Sequence, residues 1–203
     1  MTKIKFCGLR RIEDIKYANE LKPDFIGFVF APGRKRTVDE STAKELKNLL
    51  DSDIKAVGVF VDEDVKNVAK LLNDGIIDIA QLHGSEDEEY IKTLRSLSSK
   101  KIIKAIEIQS ADDIKKANES SADYVLLDSG KGSGLKFDWA LINEIKRPYF
   151  LAGGLDCDNI ENALAILNPF AVDVSSGIET DGFKDFDKME TFKEIIRGRE
   201  LSK

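Results

Sequence analysis

The stretch Ile4-Lys5-Phe6-Cys7-Gly8-Leu9 decides between the two folds that suit this sequence. It contains the first of several short apolar runs and the start of the loop that follows. In an open, doubly wound α/β sheet, the first strand is typically followed by a glycine-rich G-x-G-x-x-G loop. Cys7-Gly8-Leu9 stands at that place instead, so the sequence favours a closed barrel of alternating strands and helices.

Seven further apolar runs follow, spaced about 24 residues apart, which is the length of one strand plus one helix. They are rich in Ile, Val and Phe and lack strict polar alternation, as is typical of strands covered on both faces. Segments with helical periodicity separate them. The pattern predicts one domain over residues 1–203, a single (β/α)8 barrel, or TIM barrel. The predicted strands are Ile4–Cys7, Phe25–Phe30, Ala56–Val61, Ile77–Leu82, Ile102–Ile106, Tyr124–Leu127, Tyr149–Ala152 and Ala171–Val174.

The composition excludes several classes of protein. The chain has 203 residues, 42% of them hydrophobic, and a formal net charge of −6, which suits a packed core and disfavours a nucleic-acid or anionic-membrane surface. The apolar runs are far shorter than the about 18 residues that cross a bilayer, and no signal peptide follows Met1. Cys7 and Cys157 are too few for a disulfide framework. We therefore expect a reduced, cytoplasmic protein that binds neither nucleic acid nor membrane.

Two predicted loops at the barrel mouth, where active sites of this fold lie, are rich in small residues. They are Ala152-Gly153-Gly154-Leu155 after the seventh strand and Val174-Ser175-Ser176-Gly177 after the eighth. Small residues let backbone N–H groups approach an anion, and a short helix beginning after the eighth strand would add its positive end. Either loop alone is as well explained by a tight turn. Together they predict a phosphate site made by Gly153, Gly154, Ser175, Ser176 and Gly177.

Cys7 ends the first predicted strand, and Asp128 follows the sixth. A free cysteine is often only a small buried side chain, and a carboxylate at a strand end often caps a helix or pairs with a cation. Placed across the mouth from each other, the two residues instead indicate proton transfer. Polar loops would stabilise the Cys7 thiolate as a base, and a partly apolar setting would keep Asp128 protonated as an acid. Such a pair suits an aldose–ketose isomerisation of a phosphosugar.

Four more polar residues are candidates for the same mouth. Asp173 interrupts the apolar run Ala171–Val174, which is costly unless the carboxylate forms an internal salt bridge or binds a ligand. His83 is the only histidine and has no cysteine cluster beside it, so we expect no metal site. Arg36 and Arg34 belong to a basic triplet after the second strand, which is either a solvated surface or a clamp for a carboxylate.

The motifs along the chain resemble those of the phosphoribosylanthranilate isomerases of tryptophan biosynthesis. Seven blocks occur in the family's order: Lys5–Leu9, Gly27–Phe30, Gln81–Gly84, Leu127–Ser129, Gly132–Gly134 with Phe137–Trp139, Leu151–Leu155 and Val172–Glu179. The resemblance implies a cofactor-free barrel enzyme that takes a phosphorylated small molecule. It would convert N-(5′-phosphoribosyl)anthranilate to 1-(2-carboxyphenylamino)-1-deoxyribulose 5-phosphate by an Amadori rearrangement.

The resemblance also implies roles for individual residues. Cys7 matches the family's general base, Asp128 its general acid, and Arg36 its contact to the anthranilate carboxylate. Further matches are Gly154, Ser175 and Ser176 as phosphate contacts, with His83 and Asp173 as other residues of the mouth. Arg10 and Arg34 depart from the family pattern, in which a threonine and a small residue are usual. Both are therefore alternative carboxylate clamps.

Other functions make different demands on the same barrel. A histidine-pathway isomerase, or a relative acting on both substrates, would have an aspartate in place of Cys7. A metal-dependent pentose-phosphate epimerase would need several histidines, whereas His83 stands alone. A catalytically silent phosphate-binding barrel would require neither Cys7 nor Asp128. The oligomeric state is left as a monomer or a homodimer.

Overall fold

Eight parallel strands form a closed barrel in the order β1 to β8, which confirms the predicted fold. The structure is a computed structural model and describes residues 1–128, 142 and 144–201. The strands are β1 Lys3–Cys7, β2 Phe25–Val29, β3 Lys55–Phe60, β4 Ile79–Leu82, β5 Lys101–Glu107, β6 Tyr124–Asp128, β7 Tyr149–Ala152 and β8 Ala171–Val174. β1 pairs with β8, which closes the ring. The assignment of residues 1–203 to a single domain stays a prediction.

Seven α-helices follow strands of the barrel in the described part of the chain. They are α1 Ile12–Leu21, α2 Glu40–Leu49, α3 Val65–Asn73, α4 Glu88–Leu97, α5 Ala111–Glu119, α6 Ile160–Ile166 and α7 Phe186–Leu201. Three of them begin where an aspartate accepts a backbone N–H of the first turn: Asp39 for α2, Asp64 for α3 and Asp87 for α4. The sequence pattern also predicts a helix at 137–145, and this stretch lies largely outside the described residues.

The apolar side chains divide into an inner and an outer cluster. The inner cluster fills the barrel and includes Phe25, Val57, Ile103, Leu126 and Phe150. The outer cluster lies between the strands and the helices that cover them. Because alternate residues of each strand are buried on opposite faces, the strands read as continuous apolar runs in the sequence. The carboxyl ends of all eight strands meet at one end of the barrel, the mouth.

Candidate active site

A cavity of about 480 Å³ opens at the mouth of the barrel. Its polar lining comes from Cys7, Gln81, His83, Glu107, Asp128, Gly153, Gly154, Asp173, Ser175 and Ser176. A larger depression of about 640 Å³ lies away from the mouth, but no acidic, histidine or cysteine side chain of the described residues lines it. The mouth cavity is therefore the place where proton transfer can occur. It brings together every predicted site residue except Arg36 and Gly177.

Cys7 ends β1 and is only 9% exposed. Gly27 lies beside it on β2, and a Cβ added there would stand 2.7 Å from the Cys7 sulfur, so the missing side chain makes room for the thiol. Burial raises the pKa of the Cys7 thiol, although the nearby charge of Lys5 opposes this effect. Burial thus opposes the predicted stabilisation of the thiolate by polar loops, which stays a prediction.

His83 stands between Gln81 and the predicted acid Asp128. Gln81 Nε2 lies 3.0 Å from His83 Nδ1, and His83 Nε2 faces Asp128 Oδ2 at 3.6 Å. Gln81 Oε1 is buried and has no hydrogen-bond partner within the described part of the chain. A ligand hydroxyl in the cavity would supply one.

Asp173 forms the internal salt bridge that was one of the two alternatives left open by its sequence position, and the ligand contact stays a prediction. Its Oδ2 accepts a hydrogen bond of 2.8 Å from the Lys5 ammonium, which forms a buried salt bridge between β8 and β1. Its Oδ1 is also buried but finds no partner among the described residues, and the residue lines the mouth cavity. One oxygen is therefore paired across the strands, and the other is a buried acceptor next to the cavity.

The two small-residue loops lie side by side at the mouth. Gly153 and Gly154 adopt positive φ angles of 97° and 63°, which other residues rarely adopt, so the turn after β7 requires glycine. A Cβ at Gly177 would stand 2.0 Å from the Leu155 carbonyl oxygen. Gly177 therefore lets the two loops approach each other and does not line the cavity itself.

The predicted short helix after β8 is wrong for this chain. A hairpin occupies that place, with β9 at Glu179–Thr180 paired to β10 at Phe183–Lys184. Asp181 and Gly182 form its two-residue turn with φ angles of 52° and 80°, as a primed turn requires. Lys184 projects back from the hairpin and donates to the Ser175 carbonyl at 2.9 Å. A buried lysine thus holds the loop that carries Ser175 and Ser176.

Arg36 lies at the edge of the mouth and forms a two-pronged salt bridge. Its Nε and Nη2 donate to the Glu179 carboxylate at 2.6 Å and 2.5 Å, and Lys184 Nζ donates to the same carboxylate at 2.7 Å. Burial acts against ionisation of Glu179, but the hydrogen bonds from these two cations outweigh it and lower its pKa to about 2. The side chain of Arg36 also crosses Gly8, which has room for it because it lacks a Cβ. Arg36 is therefore fixed next to the loop that follows Cys7.

The two alternative clamps differ in how firmly they are held. The Arg10 guanidinium donates to the carbonyls of Lys35 and Gly182 at 2.7 Å and 3.1 Å, so it ties two loops together. Arg34 is exposed. Neither residue lines the mouth cavity. Of these three candidate arginines, Arg36 is the one whose guanidinium is oriented by a buried carboxylate.

The residues that the sequence reasoning missed are Lys5, Glu179 and Lys184. Two of them are lysines that read as ordinary solvent-facing charges in the sequence, yet they are 0% and 4% exposed. Lys5 gives one visible signal, because it is a charge inside an apolar run, as Asp173 is. Within the described ranges, no group of three or more His, Cys, Asp or Glu side chains could hold a metal ion. None of the described helices has the length and apolar character to span a membrane.

Comparisons with known proteins point to one family. The family described as N-(5′-phosphoribosyl)anthranilate isomerase matches residues 4–194. The chain is 45% identical to N-(5′-phosphoribosyl)anthranilate isomerase of Thermoanaerobacter sp. (strain X514), with 98% of this chain and 99% of the relative covered. A solved phosphoribosyl anthranilate isomerase in complex with reduced 1-(o-carboxyphenylamino)-1-deoxyribulose 5-phosphate is similar, with a TM-score of 0.86, 32% identity, and 98% and 100% of the two chains covered.

A further similar structure shows mutually generated monomers of dimeric phosphoribosylanthranilate isomerase from Thermotoga maritima, with a TM-score of 0.85 and 32% identity. It covers 98% of this chain and 100% of its own. Both the family match and the relatives extend over nearly the whole sequence, and the similar structures share the fold. The chain therefore belongs to the N-(5′-phosphoribosyl)anthranilate isomerase family.

Proposed function

We propose that this chain converts N-(5′-phosphoribosyl)anthranilate to 1-(2-carboxyphenylamino)-1-deoxyribulose 5-phosphate in tryptophan biosynthesis. The observation that carries the proposal is the placement of Cys7 and Asp128 in one cavity, with the small-residue loops between them. Cys7 ends β1 and Asp128 ends β6, and the two strands that separate them, β7 and β8, are those that carry the loops. A sugar anchored by its phosphate at these loops would extend between a base and an acid.

The proposed reaction needs two proton transfers at different atoms. Asp128 donates a proton to the ring oxygen of the sugar, and the ring opens to a Schiff base between C1 and the anthranilate nitrogen. Cys7, as the thiolate, then removes the proton from C2, which gives an enolamine. Tautomerisation moves a proton to C1 and leaves a ketone at C2. No electron acceptor or cofactor is required, because the oxidation at C2 balances the reduction at C1.

The phosphate site is proposed at Gly153, Gly154, Ser175, Ser176 and Gly177. The first four of these residues line the cavity, and the positive φ angles of the two β7 glycines let backbone N–H groups turn toward an anion. Lys184 adds a positive charge behind the second loop through its contact with the Ser175 carbonyl. This placement fits the recurring phosphate site of the fold, after strands seven and eight.

Arg36 is proposed to bind the anthranilate carboxylate. Glu179 accepts hydrogen bonds from its Nε and Nη2, so Nη1 is left to reach a ligand. A guanidinium fixed in this way loses little conformational entropy when it binds a carboxylate. His83, Asp173 and the unpaired Gln81 oxygen are proposed to position the sugar hydroxyls. The relevant partner is thus a small phosphorylated molecule.

The state of assembly is proposed as a monomer or a homodimer, and the related protein from Thermotoga maritima is described as dimeric. A cytoplasmic location is proposed because the suggested base, Cys7, has to remain a free thiol. Such thiols persist in reducing compartments.

A turnover assay tests the proposed function directly. Phosphoribosylanthranilate is unstable, so it is made immediately before use, and the purified protein is also given the corresponding aminoaldose precursor of histidine biosynthesis. We expect turnover of the anthranilate compound and a much lower kcat/KM for the histidine-pathway compound. The presence of Cys7 in place of an aspartate is the reason for this preference. Equal or reversed kcat/KM values would contradict the assignment.

A further inference from the structure

Lys5 lies inside the barrel with a side chain that is 0% exposed. β1 places it in register with Phe25 of β2 on one side and with Asp173 of β8 on the other. Its Nζ donates to Asp173 Oδ2 at 2.8 Å. The interior layers of such barrels are filled mainly by bulky branched apolar side chains. A buried ion pair in this layer therefore calls for an explanation other than packing.

Stability does not explain the Lys5–Asp173 pair. Moving two charges out of water carries a penalty of several kcal/mol per ion, and apolar residues of similar volume often serve a protein core equally well or better. The pair is also incompletely satisfied, because Asp173 Oδ1 lacks a hydrogen-bond partner among the described residues. What distinguishes Lys5 is that Cys7 lies on the same strand, two residues further along the chain.

Lys5 and Cys7 are two residues apart on β1, so their side chains project from the same face of the strand into the barrel. The charges of Lys5 from β1, Lys184 from the hairpin after β8 and Arg36 from the loop after β2 favour the thiolate, whereas the charge of Asp173 from β8 opposes it. Burial raises the pKa of the Cys7 thiol, and the charge of Lys5 is the largest influence in the opposite direction. Gly27 leaves space for the sulfur on the β2 side.

We infer that Lys5 is a positioning residue for the isomerisation, whose buried ammonium stabilises the Cys7 thiolate while Asp173 holds that ammonium in place. The inference rests on the proposed function, in which Cys7 is the base. The thiol first loses its proton to solvent, and the thiolate then takes the C2 proton and becomes a thiol again. Since the substrate brings the negative charges of its phosphate and carboxylate to the mouth, a permanent cation beneath the sulfur offsets their repulsion of the thiolate.

The pH dependence of thiol alkylation tests this inference without relying on turnover. Cys157 is the second thiol and plays no part in the site, so Cys157→Ser serves as the parent protein. The rate of Cys7 alkylation by iodoacetamide is measured between about pH 6 and about pH 10, with the modified residue identified by mass spectrometry. At about pH 8 we expect Lys5→Met to slow the alkylation by about tenfold or more, because the thiolate fraction falls. The kcat/KM should fall by a similar factor and recover as the pH rises.

A folded Lys5→Met protein with an unchanged alkylation profile would overturn the inference. If that variant does not fold, Lys5→Gln, whose amide can still donate to Asp173, replaces it, and parent-like alkylation of this folded variant would equally overturn the inference. Slower alkylation together with unchanged kcat/KM contradicts the role of Cys7 as base. That result separates a failure of the proposed function from a failure of the charge effect.

Discussion

Replacing Glu179 by glutamine removes a buried negative charge that faces two cations. The carboxylate is 8% exposed and accepts hydrogen bonds from Arg36 and from Lys184 at 2.5 to 2.7 Å. Burial alone would raise its pKa, but these contacts lower it from 4.5 to about 2. The hairpin after β8, the loop after β2 and the Ser175 carbonyl all meet at this cluster. The substitution therefore probes what holds the mouth together.

The lowered pKa gives the size of the expected effect. A decrease from 4.5 to about 2 corresponds to about 3 kcal/mol of folding free energy at neutral pH. Solvent screens part of the Arg36 contact, because that side chain is 25% exposed, which reduces this figure to about 2 kcal/mol. Glutamine also leaves the buried Lys184 ammonium without its anion, which adds to the loss. We expect Glu179→Gln to lower the free energy of unfolding by about 2–5 kcal/mol.

The pH dependence follows from the direction of the shift. The pKa of Glu179 is lower in the folded than in the unfolded protein, so its stabilisation is fully present above about pH 4.5 and is lost as the pH falls towards about 2. The free energy of unfolding of wild type and variant is measured with urea at about pH 7 and about pH 3. The difference between the two proteins should be smaller by about half or more at the lower pH. Glu40→Gln is the matched control, because the Glu40–Lys70 pair is 52% exposed on both sides and should contribute less than about 1 kcal/mol. If Glu179→Gln behaves like Glu40→Gln at about pH 7, the reasoning fails.

Three further substitutions test the proposed site. Ser176→Asp should raise KM about tenfold or more with a smaller effect on kcat, because it brings a negative charge to the phosphate; an unchanged KM in steady-state assays would place the phosphate elsewhere. Arg36→Ala should lower kcat/KM by about 10- to 150-fold, which corresponds to the free energy of one charged hydrogen bond. A larger loss of kcat/KM in Arg34→Ala would instead assign the anthranilate carboxylate to Arg34. Gly27→Ala should lower kcat more than it raises KM, because the new Cβ would stand 2.7 Å from the Cys7 sulfur and displace it; wild-type kcat in the folded variant would contradict this role.

The barrel and the members of its mouth could be predicted because they depend on local patterns. Apolar runs show where strands lie, and in this fold all strand ends meet at one end, which brings Cys7, His83 and Asp128 together. The ion pairs could not be predicted in this way. Arg36 and Glu179 are 143 residues apart, and Lys5 and Asp173 are 168 residues apart. Their contacts depend on the register with which β8 closes on β1, which no local pattern specifies.

The errors of the sequence analysis have physical causes. The burial of Cys7 could not be predicted, because position at a strand end does not reveal how deeply the sulfur is buried. The hairpin after β8 could have been predicted, since Asp181-Gly182 between short β-prone segments is typical of a two-residue hairpin turn. The contact of Lys184 was missed for the same reason, because only the hairpin turns its side chain back towards the Ser175 carbonyl.

The division of proton transfers between Cys7 and Asp128 is tested most directly by single-turnover kinetics of freshly prepared phosphoribosylanthranilate with Cys7→Ala and Asp128→Asn. Neither variant adds bulk to the site, so binding of the reduced product analogue should stay within about threefold of wild type, while the rate of conversion falls by about 10²–10⁴ or more in each. Conversion within about tenfold of wild type in either variant, with the analogue bound normally, would contradict the account.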